Sequence, residues 1–165
     1  MDDRALVERQ LGRAPRVFRR VIRRCPHGAP AVTEQDAYDE SGEPFPTTFY
    51  VTCPHLVAAL ARLEAAGGVE RWSDALEHDA VLADDLERAT EEQRALRHEL
   101  AAGRTGRDGG SSLELGIGGS QNPRRLKCLH AHAAFALARP GYELGNRILA
   151  ELDPLWPPER CCTTG

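Results

Sequence analysis

Cysteine and histidine recur together at three places in this chain of 165 residues. Cys25-Pro26-His27-Gly28 and Cys53-Pro54-His55-Leu56 share a tripeptide, and Cys128-Leu129-His130-Ala131-His132 follows much later. Thiolates and imidazoles are the usual ligands of zinc, and thiolates hold iron–sulfur clusters. A proline after cysteine fixes the local backbone and has no amide hydrogen, which lets the sulfur be aimed outward from a strand end. On a helix Cys128 and His132, four apart, share a face, while His130 lies about 200° round from Cys128. The expected metal ligands are therefore Cys25, Cys53, Cys128 and His132, holding zinc as a Cys3His site; alternatively the three cysteines hold an iron–sulfur cluster with one iron open to substrate. No Cys-x-x-Cys pair places two ligands close in sequence, so the convergence depends on the fold. Buried reduced thiols, or a nucleophilic cysteine with a histidine partner, are competing readings of the same residues. A Cys2His2 set of Cys25, His27, Cys53 and His55 uses the repeated tripeptide but leaves the Cys128 motif unexplained. Cys161 and Cys162, in a proline-containing tail, read as incidental surface thiols.

A second constellation lies just before Cys128. Gly116-Ile117-Gly118-Gly119-Ser120 is followed by Asn122-Pro123, which reads as the cap and first residue of a helix opening with Arg124, Arg125 and Lys127. Free amides, the positive end of the helix dipole and adjacent cations favour an anion, so Gly118, Gly119, Ser120, Arg124 and Arg125 are the expected anion-binding residues, for phosphate or carboxylate. The spacing is neither a Walker motif nor the dinucleotide fingerprint, and an ordinary glycine turn explains it as well. Lys127 is the only lysine in the chain. Arginine cannot replace a compact, titratable ammonium, so Lys127, together with His130, is the expected catalytic pair, orienting substrate or moving protons.

These residues need elements to position them. Arg4 to Leu11 suits a short helix ended before Pro15, and Arg16 to Arg24 reads as a strand whose alternation is spoiled by Val21-Ile22. Ala31 to Tyr38 can return as a second strand. Thr47 to Thr52, rich in β-branched and aromatic residues, is the clearest strand and runs into Cys53. Pro54 then suits a first helical position, and Leu56, Leu60 and Leu63 mark a helix from His55 to Ala66, stopped at Gly67-Gly68. Trp72 to Leu76 reads as a helical turn, Asp79 to Ala102 as a long helix, and Gly103 to Ser112 as a flexible loop. Asn122 to Arg139 and Tyr142 to Leu152 are the last two helices. Strands followed by helices predict an α+β fold: a small antiparallel sheet in the N-terminal third followed by about four helices, in one compact domain over residues 1–152 with a flexible tail over 153–165.

The formal net charge of −4 gives no overall case for nucleic-acid binding, although arginines crowd residues 4–24 and acids dominate 64–99. The basic strand reads first as a solvated surface, and otherwise as a docking face for a protein partner. No apolar run approaches the roughly 20 residues of a membrane span, and the N-terminus lacks a signal-peptide layout, so a cytoplasmic protein with no membrane contact is expected.

Taken together, Cys25-Pro26-x-Gly28, Thr52-Cys53-Pro54, Gly116-Ile117-Gly118-Gly119 and Lys127-Cys128-Leu129-His130-Ala131-His132 resemble an uncharacterised bacterial family, domain of unknown function 501, over roughly residues 15 to 150. The resemblance implies that the three cysteines and the Lys127 to His132 segment form one functional unit; it implies no activity. Two functions follow from the residues. One is a small metalloprotein, zinc or iron–sulfur, with an anion site beside the metal. The other is a non-catalytic adaptor whose buried cysteines only hold the fold.

Overall fold

The structure is a computed structural model that describes residues 2–162. It opens on α1 (Asp3–Leu11), where the Asp2 carboxylate accepts a hydrogen bond from Ala5 N at 2.8 Å. Strands β1 (Phe18–Arg24), β2 (Pro30–Gln35) and β3 (Phe49–Val51) then form an antiparallel sheet in the order β1-β2-β3. Helices α2 (Pro54–Ala65), α3 (Gly68–His78), α4 (Ala80–Ala101), α5 (Leu129–Ala138) and α6 (Glu143–Ala150) follow, with short 3-10 turns at Ser111–Glu114 and Ile117–Gly119. This is the α+β architecture that the sequence predicts, with one more helix after the sheet. The addition is α3, expected only as a turn at Trp72–Leu76. Gly67, at φ 87°, ends α2 and caps α3 directly, so the glycine pair is a corner between two helices.

The broken alternation in β1 has a structural counterpart. Its register against β2 shifts between Phe18 and Arg20 and again between Val21 and Arg23, as at β-bulges. The arginines on this strand meet carboxylates across it: Arg20 Nε lies 2.8 Å from Glu34 Oε2, Arg19 Nη1 2.9 Å from Asp36 Oδ1, and Arg24 Nη2 2.6 Å from Asp3 Oδ1. Every residue of β2 is buried, because α1 and α5 both contact it.

Helix α5 is the centre of the molecule. Eight of its ten residues are buried, and a helix apolar all round must be covered all round. Phe135 on its sheet side meets Phe49 edge-on at 5.7 Å, and Tyr142 meets the same ring at 5.3 Å. The alanines of α5 let neighbouring backbones come close. A Cβ at Gly145 of α6 would lie 2.6 Å from both Ala136 Cβ and the His132 carbonyl oxygen.

Two expected segments differ. The predicted helix from Asn122 begins only at Leu129. Asn122 Oδ1 accepts from Arg124 N at 3.0 Å and Ser120 Oγ accepts from Asn122 N at 3.2 Å. Such local side-chain bonds offer the backbone a turn in place of a helix. The loop 103–112, expected to be flexible, is organised around Asp108, which accepts from Tyr38 Oη at 2.8 Å, Gly110 N at 3.0 Å and Ser112 N at 2.7 Å. Burial opposes the charge on Asp108, yet hydrogen bonds from Ser112, Tyr38 and Gly110 hold its carboxyl well below the usual range.

After Leu152 the chain lies back against the body, with Leu155 and Trp156 packed on the core. Because the Gly145 contact includes backbone, Gly145→Ala is expected to lower stability by about 1–3 kcal/mol through overpacking. A drop in the urea midpoint with an unchanged slope would show it.

Candidate functional site

A groove of about 650 Å³ runs between the end of α1, β3, α2 and the start of α5. Its apolar walls include Leu11, Phe49, Val57 and Ala131, and its polar groups are Gln10, Arg13, Thr52, Cys128 and His130. Two polar atoms of groove-lining residues have no hydrogen-bond partner in the protein. Thr52 is 2% exposed and its Oγ1 is unpaired; the Gln10 Oε1 is unpaired too, while its Nε2 donates to Pro30 O at 2.8 Å. Four more such atoms lie elsewhere among the described residues, at Thr90, Arg97, Ser112 and His132, so unsatisfied polar atoms are not peculiar to this groove.

Cys128 and His130 reach the groove because of how α5 begins. Cys128 is the N-cap, with extended φ and ψ of −157° and 164°. Burial pushes its thiol up from the ordinary range, with Glu64 adding to this; the amides of Ala131 and His130 and the Lys127 ammonium pull the other way without reversing it. The free amides of α5 are met by a residue from another helix: Leu129 N donates to Glu64 Oε2 at 2.6 Å. The other oxygen of Glu64 lies 3.0 Å from His130 Nδ1, and His130 Nε2 lies 3.3 Å from Val57 O. Glu64 thus caps α5 and orients His130 at once. It escaped the sequence reading because it is 65 positions from its partner and sits among other acids, with no local signal.

The predicted metal ligands are not brought together. Among the described residues no three His, Cys, Asp or Glu side chains are placed to hold one ion, so Cys25, Cys53, Cys128 and His132 are not assembled here as the expected zinc or iron–sulfur site. The i, i+4 argument fails because Cys128 lies outside the helix, in extended backbone. His132 points into the core, where its Nδ1 and Tyr142 Oη share a hydrogen bond of 2.6 Å. Cys25 is buried at the β1–β2 turn, where Gly28 N donates to Cys25 O at 2.9 Å. The Cys2His2 alternative fails too, since His27 Nε2 lies 2.7 Å from Pro157 O and His55 Nε2 2.9 Å from Pro154 O. Cys53 has a different neighbour: its sulfur is 3.9 Å from that of Cys162, which the sequence reading set aside.

The expected anion residues are also dispersed. Gly118 packs on α5, where a Cβ would come 2.9 Å from Ala131 Cβ and 3.8 Å from Cys128 Sγ. Ser120 Oγ donates to Asn122 O at 2.8 Å, and Arg125 Nη1 lies 3.8 Å from Glu77 Oε1. Arg124 lines a second groove, of about 500 Å³, between α3 and α4. With no helix starting at Pro123, the dipole invoked for this site is absent there. Lys127 is exposed, and its Nζ would lie 3.8 Å from a Cβ at Gly119, so it flanks the glycine turn and does not line the larger groove.

Burial alone pushes the His132 imidazole down to about 3. In the unfolded chain it titrates near 6.5, so between those values unfolding takes up a proton that the folded state refuses. The His132 contribution is complete above about pH 6.5 and is lost as pH falls toward 3. The urea midpoint of His132→Gln, which cannot titrate, is expected to decline less between neutral pH and about pH 4 than that of the parent, whereas parallel declines would overturn this assignment.

No helix is long and apolar enough to cross a membrane among the described residues. No curated protein and no solved structure matches the chain. A family model does match, over residues 21–150, and it takes in β2, β3 and every helix from α2 to α6, together with Glu64, Cys128 and His130. The chain therefore belongs to the family described as protein of unknown function, DUF501.

Proposed function

We propose that the groove over β3 and α2 is a binding site for a small organic anion with an apolar body, and that Cys128 and His130 are its reactive groups. The observation that carries this reading is the placing of Cys128 and His130 on one mostly apolar groove that the exposed Arg13 also lines. Mostly apolar walls with a few convergent polar groups are the usual make-up of a small-molecule site. Arg13 is exposed on the groove and has no ion pair among the described residues, which favours an anionic group at that end.

The chemistry suited to these groups is addition of the Cys128 sulfur to a carbonyl carbon of the ligand: the C–S bond forms as the C=O π bond opens, and the electron pair moves to oxygen, which takes up the proton lost by the thiol. Cys128 rests as a neutral thiol, so it needs a base; His130 on the same wall takes that role once its Nε2 gives up the contact with Val57 O. Glu64 fixes the ring that would do so. Lys127, beside the glycine turn, supplies positive charge near the sulfur.

A panel of small carboxylates and phosphate esters screened by thermal shift, with iodoacetamide labelling of Cys128 read by peptide mass, tests the proposal. Binders are expected to raise the melting temperature, protect Cys128 from labelling and lose both effects in Arg13→Glu. Binders that act equally on Arg13→Glu and leave Cys128 labelling unchanged would refute it. Thr52→Val, which removes an unsatisfied buried hydroxyl, is expected to stabilise the free protein by about 1 kcal/mol.

A further inference from the structure

The two Cys-Pro-His turns grip the C-terminal tail. The turn after β1 and the turn into α2 each present an imidazole to a tail carbonyl, His27 to Pro157 O at 2.7 Å and His55 to Pro154 O at 2.9 Å. Between them the tail brings Cys162 to the second turn, with its sulfur 3.9 Å from Cys53 Sγ. The two sulfurs differ in access: Cys53 is buried and Cys162 is exposed. A disulfide needs about 2.05 Å between sulfurs, so the pair has still to close, with the exposed Cys162 the accessible partner.

We infer that Cys53 and Cys162 are a peroxide-responsive thiol pair whose disulfide locks the tail onto the body. The Cys162 thiolate attacks one oxygen of hydrogen peroxide; the O–O bond breaks, one water leaves and Cys162 becomes a sulfenic acid. Cys53 then attacks the sulfenyl sulfur; the S–S bond forms, the S–O bond breaks, and a second water leaves with the proton of Cys53. Two thiols lose two electrons in all and one peroxide is reduced to two waters. The order follows from access, and burial, which pushes the Cys53 thiol up to about 11, makes it the poorer first nucleophile; it gives up its proton only as it attacks the sulfenyl sulfur.

The location gives the bond a consequence. Cys53 is the N-cap of α2, between Thr52 and Pro54, both of which line the groove. A bond at Cys53 ties the tail to the hinge between β3 and α2, the two elements that form one groove wall. The inference stands whether or not the groove binds the ligand proposed above.

The test uses the full chain, reduced and then exposed to hydrogen peroxide. Intact mass is expected to fall by two hydrogens, and the tryptic peptide beginning at Cys161 is expected to stay joined to the one carrying Cys53 until a reductant is added. The link is expected to form in Cys161→Ser and to be lost in Cys162→Ser, a change at an exposed position that leaves the core intact. The proposal is overturned if Cys162 passes to sulfinic acid while Cys53 remains an alkylatable thiol, or if Cys53 is cross-linked in Cys162→Ser. It is also overturned if the purified protein carries stoichiometric zinc that Cys162→Ser loses, since the sulfurs would then be metal ligands.

Discussion

The burial of α5 constrains everything else in this protein. A ten-residue helix with almost no polar face cannot sit on a surface, so the sheet, α2, α6 and the 3-10 turn at Ile117–Gly119 must surround it. They can come close because half of its side chains are alanine, and because glycine stands opposite at Gly118 and Gly145. The larger side chains are concentrated where the sheet meets the helix, in the run Phe49, Phe135 and Tyr142. Small residues on one side and aromatics on the other set the thickness of the layer, and with it the placing of every element around α5.

That packing has a polar consequence at each part of the helix. Its first turn needs acceptors for free amides, and Glu64 provides one from α2 while its second oxygen holds His130. The acidic residue that stabilises the helix start also fills the place where an external anion would have been drawn by the dipole. Further along, His132 is carried into the core by the same register, partnered by Tyr142 and held neutral by desolvation. One helix thus presents a histidine to the groove and hides another, two positions apart.

The groove and the tail contacts share a junction. Thr52, Cys53 and Pro54 connect β3 to α2; Thr52 and Pro54 line the groove, and Cys53 faces Cys162. The repeated Cys-Pro-His tripeptide has one role at both of its occurrences, which is to offer an imidazole to the returning tail. In each, proline keeps the turn tight, and the histidine, not the cysteine, makes the contact that the repeat has in common.

Local structure was legible in the chain: β3 from its β-branched and aromatic run, α2 from Pro54 and its leucine spacing, and α4 from its long amphipathic pattern. These depend on neighbours a few residues apart, where backbone preference and periodicity act. The helix start misread at Asn122 shows the limit of such signals, because a cap and a proline also serve a turn when Ser120 and Asn122 bond the nearby backbone. The metal set failed for a related reason: ligand type was readable, but side-chain direction was not, and Cys128 and His132 are separated by one residue's change from extended to helical backbone. Glu64 and Cys162 were beyond reach of the sequence, since each acquires its meaning from a residue 65 or 109 positions away. The sequence by itself determined which segments fold locally and which residues are chemically able; only the tertiary structure decided which of them meet, because that follows from the packing around α5 and leaves no mark on the residues nearby.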